Sequence, residues 1–498
     1  MSEYLHGAYG DSRADGNRVS VDAEEAFVCF GTAPVQTLAR ASGESYNVNK
    51  PVVVHNIAEA KAAFGYSDDW AKYTLCEAFH HFFETMGIGP LVVVNVLDPT
   101  VHKAGSQTTV SLTPVNNTVV IADAEDIVLD SITVTVNETV KTKGTDYTVS
   151  YNSSKKQITI TGITNLGTSP ISISYDTVTP ANVTDTTIIG SSDGLGTNTG
   201  IFAVKNVYPM TGLIPSYLMA PGWSSVPTVH AALIGNSRKI NGHWDAWVFS
   251  DLPLLDGATP ITMNTAASFK SANGYNNENE TVYFPMAEGT DGKKYHLSTI
   301  AAANFLELLA DNDGIPYHSA SNTDAPIIKK LYLGTGSENK IFDDEIINEK
   351  LNKNGIASAA FVGGRWAIWG AHAADYTQET ADNINAAETN RMMLFYVSND
   401  FQARRPRDVD KPMTSGDLAS MVAEEQARLD ALKAMGALIY GVASLDATAI
   451  ENSDVYSGDF IFEFRVTTTP LAKSLKAIVT WVSDGYATYF ATEENNAA

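Results

Sequence analysis

Hydrophobic positions along this chain change their spacing more than once, and the changes mark out its parts. Residues 1 to about 25 carry Gly, Asp and Arg with little apolar content and predict an extended N-terminal arm. From Ala26 a strand (AFVCFGTAP) begins, a helix is expected from about Asp68 to Thr85, and Pro90–Val96 reads as a strand. That last strand is apolar on both faces, as in a sheet covered by helices. Residues 26–100 therefore predict the first part of an α/β core. Between 101 and 184 the period shortens to two: ITVTV at 132–136, YTVSY at 147–151, ITITG at 158–162 and ISISY at 171–175. Turn clusters such as KTKGTD and YNSSKKQ separate these pieces, which predicts an inserted all-β, sandwich-like domain. Surface loops accept such long additions at small entropic cost.

The α/β pattern resumes at Thr186 with TTIIGSSDGLGTNTGIFAV, read as a strand entering a glycine-rich loop. It continues through SYLMAPG, WDAWVFSDLP and IIKKLYLGT, so 185–354 predicts the second part of the core. Residues 355–485 form the last predicted unit, a C-terminal α/β assembly domain. Its main feature is an amphipathic helix over 416–437, with Leu418, Met421, Val422, Leu429, Leu432 and Met435 toward a core. The charges Glu424, Glu425, Arg428, Asp430 and Lys433 are expected on its solvated or partner-facing side. Strands DFIFEFRVTTTP and SLKAIVTWVSD follow, then the strand-like YATYF, with 486–498 as a C-terminal arm. Phe460, Phe462, Phe464 and Val466 share one face, the period-two mark of a half-buried strand. A chain that finishes on a strand and a short polar tail can offer that strand to a neighbour. The fold class expected is multidomain α/β with an inserted all-β domain and extended terminal arms, organised for assembly rather than chemistry.

At 498 residues the chain has room for about three domains of ~150 residues each. A formal charge of -24 opposes a surface that grips nucleic acid. Cys29 and Cys76 lie among apolar neighbours and read as small buried side chains, so a reducing compartment is expected. MSEYLHGAYGDSRADGN lacks a signal-peptide pattern and no apolar run approaches ~20 residues, so neither export by that route nor membrane insertion is expected.

Sequence motifs for catalysis are weak. Gly190-Ser191-Ser192-Asp193-Gly194 fits the nucleophile-elbow pattern G-x-S-x-G, with Ser192 as nucleophile, but LGTNTG follows where the elbow needs a helix. Gly194, Gly196 and Gly200 resemble a dinucleotide loop with Thr199 in the place of the third glycine, and no G-K-[ST] follows. Cys76 and His80 stand one helical turn apart with His81 adjacent, yet a structural metal needs four ligands, and Phe79, Phe82 and Phe83 favour a core or interface helix. Arg404-Arg405-Pro406-Arg407 is a basic run that the proline places at a loop or strand exit. Contact with an acidic partner, or pairing with Asp408 and Asp410, suits it better than nucleic acid.

Several of these segments together resemble the contractile tail sheath proteins of phages and related injection machines. They are YLHGAYG, FVCFGTAPV, IIGSSDGLGTNTGIFAV, GLIPSYLMAPGWSSVPTV, LNKNGIASAAFVGGRWAIWGAHAA, LKAMGALIYG and FEFRVTTTPLAKSLKAIV, in family order outside 101–184. One departure is Ala371-His372-Ala373, where the family often has Asn-Arg-Thr. The resemblance implies a non-enzymatic subunit without cofactor or metal, stacked helically as rings around an inner tube and contacting baseplate and tail terminator proteins. It would be made in the bacterial cytoplasm and end in a virion or injection particle. It also implies strand donation between subunits by the chain ends, with Tyr4, His6, Tyr9, Tyr486, Tyr489 and Phe490 as donated residues. The helix over 416–437 and its neighbouring loop would face the tube, with Arg404, Arg405, Arg407, Glu424 and Arg428 as candidates. A serine hydrolase using Gly190–Gly194 and a surface adhesin built on the β insertion stand as alternatives.

Overall fold

Six consecutive parallel strands form the backbone of the molecule. The computed structural model describes residues 25–40, 44–334, 342–377, 384–445 and 457–486. Its main sheet has eight strands, in the spatial order Val52–Val54, Leu91–Asn95, Glu25–Gly31, Ile214–Met219, Trp247–Asp251, Glu280–Tyr283, Ile356–Val362 and Arg365–Trp369. The two outermost strands pair antiparallel and the six between them are parallel. Among those six, the first strand in sequence lies second in space and the third lies on its other side, a doubly wound order. Burial follows from this: Leu91–Asn95 is buried at every residue, as its two-faced apolar pattern predicts. Phe27 on the next strand stacks on Tyr217 at 4.7 Å and contacts Phe82, Phe249 and Phe305, so one aromatic cluster joins three strands to two helices.

Local chemistry explains several boundaries. The helix expected from Asp68 begins at Leu75 and passes into wide π-type turns over Phe79–Met86, ended by Gly87 in the left-handed conformation. The preceding loop is held by Ser67 and Asp69, whose backbone and hydroxyl groups bond locally and to Cys76. The stretch TTIIG, read as a strand, is instead a helix over Asp185–Ile189: Thr184 and Thr187 form a reciprocal cap that starts it, and Gly190 at φ 69° stops it. Strands Ile356–Val362 and Arg365–Trp369 complete the main sheet, although they were assigned above to the C-terminal unit. Helix Glu388–Arg404 is shared: Met392 and Phe395 pack into the body core, while Met393, Tyr396 and Val397 belong to a third core.

The β insertion has the predicted character. Four strands (Thr108–Leu112, Ile171–Tyr175, Thr133–Val136, Thr139–Val140) and three more (Thr118–Ile121, Gln157–Gly162, Tyr147–Asn152) make two antiparallel sheets. Between them lies a core of its own, including Val134, Ile158, Ile160, Leu166 and Ile173. The chain enters and leaves side by side, with Thr179 N–H donating to the His102 carbonyl at 2.8 Å. The module is also pinned to the body: Tyr73 donates to Asp126 at 2.7 Å, Gln36 to the Glu125 carbonyl at 2.9 Å, and Arg40 pairs with Asp130 at 2.9 Å.

A third core joins helix Glu388–Arg404, helix Ser415–Ala434 and a hairpin of Leu438–Leu445 with Phe462–Thr468. Of the six residues expected inward from the long helix, Leu429 and Leu432 are buried, Leu418, Met421 and Val422 half-buried, and Met435 exposed. Because the module and body cores are separate, Ile160→Ala is expected to lower the module's stability by about 2–4 kcal/mol. Hydrogen exchange should speed up within 108–175 and stay unchanged in the main sheet; equal loss of protection in both would contradict the separation.

Candidate functional site

Strand-forming residues near the C-terminus have no strand partner among the described residues. Residues 474–484, SLKAIVTWVSD, expected to form a strand, form none. Leu475 is 91% exposed, Val479 93% and Trp481 76%, with Ile478 and Val482 also exposed. Neither face of this segment is polar enough to rest in water at low cost, since each such side chain gains about 1.5–3 kcal/mol when buried. The periodicity that predicted a strand is real, but the segment pairs with no edge among the described residues.

Beside it lies a hairpin with open edges. Leu438–Leu445 pairs only with Phe462–Thr468 among the described residues. The outer edge of Leu438–Leu445 is partly closed by a side chain: Gln426 accepts from the Ala443 N–H at 2.9 Å and donates to the Gly441 carbonyl at 3.2 Å. No comparable side-chain bond closes the outer edge of Phe462–Thr468 among the described residues. That strand borders an open groove of about 920 Å³ between it and helix Glu388–Arg404. Leu394, Val397 and Phe401 line one wall, Phe462, Phe464 and Val466 the other, and Met413 and Met421 the end. Phe401 sits 5.5 Å from Phe462 and 5.3 Å from Phe464, so the groove floor is aromatic. The shared face of Phe462, Phe464 and Val466 is as predicted.

Among the described residues the arm is fixed at its root. Thr469 N–H donates to the Ala437 carbonyl at 3.2 Å, and Lys473 Nζ lies 2.7 Å from His372 Nδ1. His372 stacks on Tyr376 at 3.5 Å with an interplanar angle of 7°. Burial, and then the Lys473 charge, lower the His372 pKa to about 4; burial lowers that of Lys473 to about 8. This anchorage joins residues 101 apart, so only the folded chain brings it together.

Helix Glu388–Arg404 ends where Pro406 forbids its continuation, and this places the basic run against the long helix. Arg404 forms a two-pronged pair with Glu425 at 2.8 and 2.7 Å and also bonds Asp400 at 2.9 Å. Arg405 contacts Glu425 too, and reaches Glu424 at 3.0 Å and Asp408 at 3.4 Å. Arg428 pairs with Asp400 at 2.6 Å. Four of the five tube-facing candidates are thus members of one internal network, while Arg407 is exposed and makes no ion pair among the described residues. Glu425, expected on the solvated side, is buried. Burial pushes its pKa up, but Arg404 and Arg405 more than offset this and hold it below the usual carboxylate range.

Of the strand-donation candidates, Tyr4, His6, Tyr9, Tyr489 and Phe490 lie outside the described residues. Tyr486 is exposed in a short turn, its ring 6.4 Å from that of Trp481. Ser192 follows a helix rather than the strand an elbow requires, and its hydroxyl accepts only a local bond from Gly194 N–H at 3.4 Å. Gly194 and Gly196 belong to a tight loop organised by Asp193, which accepts from Leu195 and Thr197 N–H groups. Gly200 is held by Asn49, and Thr199 bonds back to Ser191. Cys76 is buried, His80 pairs with Glu84 at 2.8 Å, and the buried His81 ring has its pKa lowered to about 3 by burial. No cluster of three metal-ligating side chains occurs among the described residues. No helix among them is long and apolar enough to cross a membrane.

Comparison with known proteins gives these features a context. No protein-family model matches the chain. It is 24% identical over 484 residues to the tail sheath protein of Burkholderia phage BcepMu, covering 94% of this chain and 95% of that one. Its fold matches a chain of the anti-feeding prophage baseplate with a TM-score of 0.57, at 12% identity over 97% of this chain and all of the other. It also matches the contracted helical sheath of the anti-feeding prophage (TM-score 0.54, 11% identity, 97% and 100% covered). The contracted sheath of the extracellular contractile injection system PVC gives 0.53, with 10% identity and 97% and 99% covered.

Glu425 supplies a direct test of the internal network. Glu425→Gln should cost about 2–3 kcal/mol in urea unfolding, the low end for breaking a buried ion pair because both guanidiniums keep some solvent. A carboxylate with a lowered folded pKa stabilises above its unfolded value near ~4.3 and loses that contribution as pH falls through the folded value. The wild-type melting midpoint should therefore drop more steeply below about pH 4.3 than that of Glu425→Gln. Parallel curves would exclude the network as a source of stability.

Proposed function

We propose that this chain is the structural subunit of a contractile tail sheath, polymerising helically around an inner tube and contracting to drive the tube through a target envelope. The observation that carries this reading is an exposed apolar arm beside an open strand edge, in a chain whose fold is that of contractile sheaths. Strand addition satisfies both at once. A donated strand of about five residues contributes several backbone hydrogen bonds at a net ~0.5–1.5 kcal/mol each. Its apolar side chains enter the groove along Phe462–Thr468, the less closed of the hairpin's two edges. An exposed edge is normally an aggregation hazard; in a polymer it is the joint. Tyr4, His6 and Tyr9 at the N-terminus, and Tyr486, Tyr489 and Phe490 beyond the exposed segment, would complete the links.

A head-to-tail contact of this kind generates a ring or helix rather than a closed dimer. The extended sheath is then a metastable state behind a kinetic barrier, and contraction repacks the rigid bodies while the donated strands keep them connected. This mechanism uses no catalytic residue and no nucleotide. The inner tube, baseplate and terminator proteins are the other partners, and a phage tail or related injection particle is the place of action. Toward the tube, Arg407 is the member of the basic run with most charge to spare; Arg404, Arg405, Glu424 and Arg428 position that surface through their network. The β module lies outside this machinery and decorates the polymer.

Truncation before Ser474 is expected to give a folded monomer, with unchanged near-ultraviolet circular dichroism, that forms no striated tubes in negative-stain microscopy. Val479→Pro, which removes one strand N–H, should lower tube yield at least tenfold on the same grounds. Normal tubes from the truncated chain would refute strand donation by this arm.

A further inference from the structure

The parallel sheet of the body has a feature that assembly does not use. Its strand order reverses between Glu25–Gly31 and Ile214–Met219, since the chain moves first to one side of the initial strand and then to the other. In open parallel sheets a crevice opens beyond the carboxyl ends of the strands at such a point, and ligands bind there. Here a cleft of about 570 Å³ lies at that place, within the size range of small-molecule sites. Gly222 and Trp223, just after Ile214–Met219, form one wall. Thr74, which accepts from the N–H of Thr32 at 3.2 Å just past Gly31, forms part of another. Trp70, Lys293 and His296 complete it.

Two cationic donors of this cleft keep hydrogen-bonding capacity. Glu77 is engaged at both oxygens, accepting the backbone N–H and Nδ1 of His296 at 2.7 Å, and Asp68, an exposed carboxylate at the rim, takes Lys293 through Oδ1. The indole N–H groups of Trp70 and Trp223 lack an acceptor among the described residues but are closed off from solvent, so these rings serve the cleft as apolar walls. His296 Nε2 makes no hydrogen bond among the described residues, while Nδ1 is committed to Glu77, which fixes the ring. Burial works against charge on this imidazole, but Glu77 and then Asp251 outweigh it and raise its pKa to about 9, so Nε2 carries a proton at neutral pH. Lys293 lies over the Trp70 ring at 4.6 Å and keeps further ammonium protons free. Aromatic walls beside two cationic donors, His296 and Lys293, favour an acceptor on a flat apolar body.

We infer that this cleft is a binding site for a small-molecule carboxylate carried on a planar, apolar group, held by His296 and Lys293 and packed against Trp70 and Trp223. The contact is independent of strand donation, whose residues lie on the hairpin and the arm.

Ligand-observed ¹⁹F NMR with 4-fluorobenzoate on the full-length chain tests it. Saturable binding is expected below about 1 mM. The neutral isostere 4-fluorobenzamide should bind at least about tenfold more weakly, and Trp223→Leu and Lys293→Met should each weaken the acid by about the same factor. Lys293→Met keeps the test valid if Trp223→Leu fails to fold. Absence of saturable binding would overturn the inference, as would equal affinity for acid and amide. It would also fall if the Lys293→Met variant altered self-association in sedimentation while the wild type failed to bind the probe, because the cleft would then be a contact between copies.

Discussion

Backbone hydrogen-bonding groups at a strand edge, and apolar side chains along an extended segment, must both be satisfied somewhere, and in this chain the two needs are left side by side. The hairpin Leu438–Leu445 with Phe462–Thr468 has room for another strand, and residues 474–482 have the side chains of one. The segment does not fold back onto the hairpin it follows directly. On the proposed reading a second copy supplies what the first cannot, and polymerisation completes a fold rather than docking finished surfaces.

The rest of the molecule can be understood as support for that joint. The doubly wound body is rigid because its parallel strands are covered on both faces, with Phe27 and its aromatic neighbours locking the middle of the sheet. The hairpin sits on a small core made with the two C-terminal helices and Ile315. Between the two, the Arg404–Arg405–Glu425 network sets how the two C-terminal helices cross, and Lys473 on His372 sets where the arm departs. Charges that look available to a partner in a linear reading are spent internally, and this leaves Arg407 as the exposed member of the run.

The cleft at the reversal of strand order belongs to a different level of the structure. It follows from topology and from the accident of which groups are already paired. Glu77 is engaged at both oxygens by His296, and Lys293 and His296 face the cleft between aromatic walls, so on the proposed reading a chain with strong overall negative charge still presents a local site for an anion.

Much of this architecture was legible in the sequence because it depends on period. Two-faced apolar strands such as Leu91–Asn95, the alternating strands of the β insertion, and the Phe462, Phe464, Val466 face each report burial through neighbours a few residues away. Helix ends were less legible: TTIIG has strand propensity, yet a reciprocal cap between Thr184 and Thr187 decided for a helix. What no local pattern could give was the matching of distant groups. SLKAIVTWVSD reads as a strand in any window, but whether a strand has an edge to join depends on the whole sheet arrangement. Glu425 reads as a solvated helix charge until Arg404 and Arg405 are brought against it from another helix. The sequence by itself determined the two-faced apolar strands, the alternating strands of the β insertion and the long C-terminal helix, since those follow from spacing along the chain. Only the tertiary structure decided which polar groups are already paired and which edges stay open, because pairing is a property of distance in space.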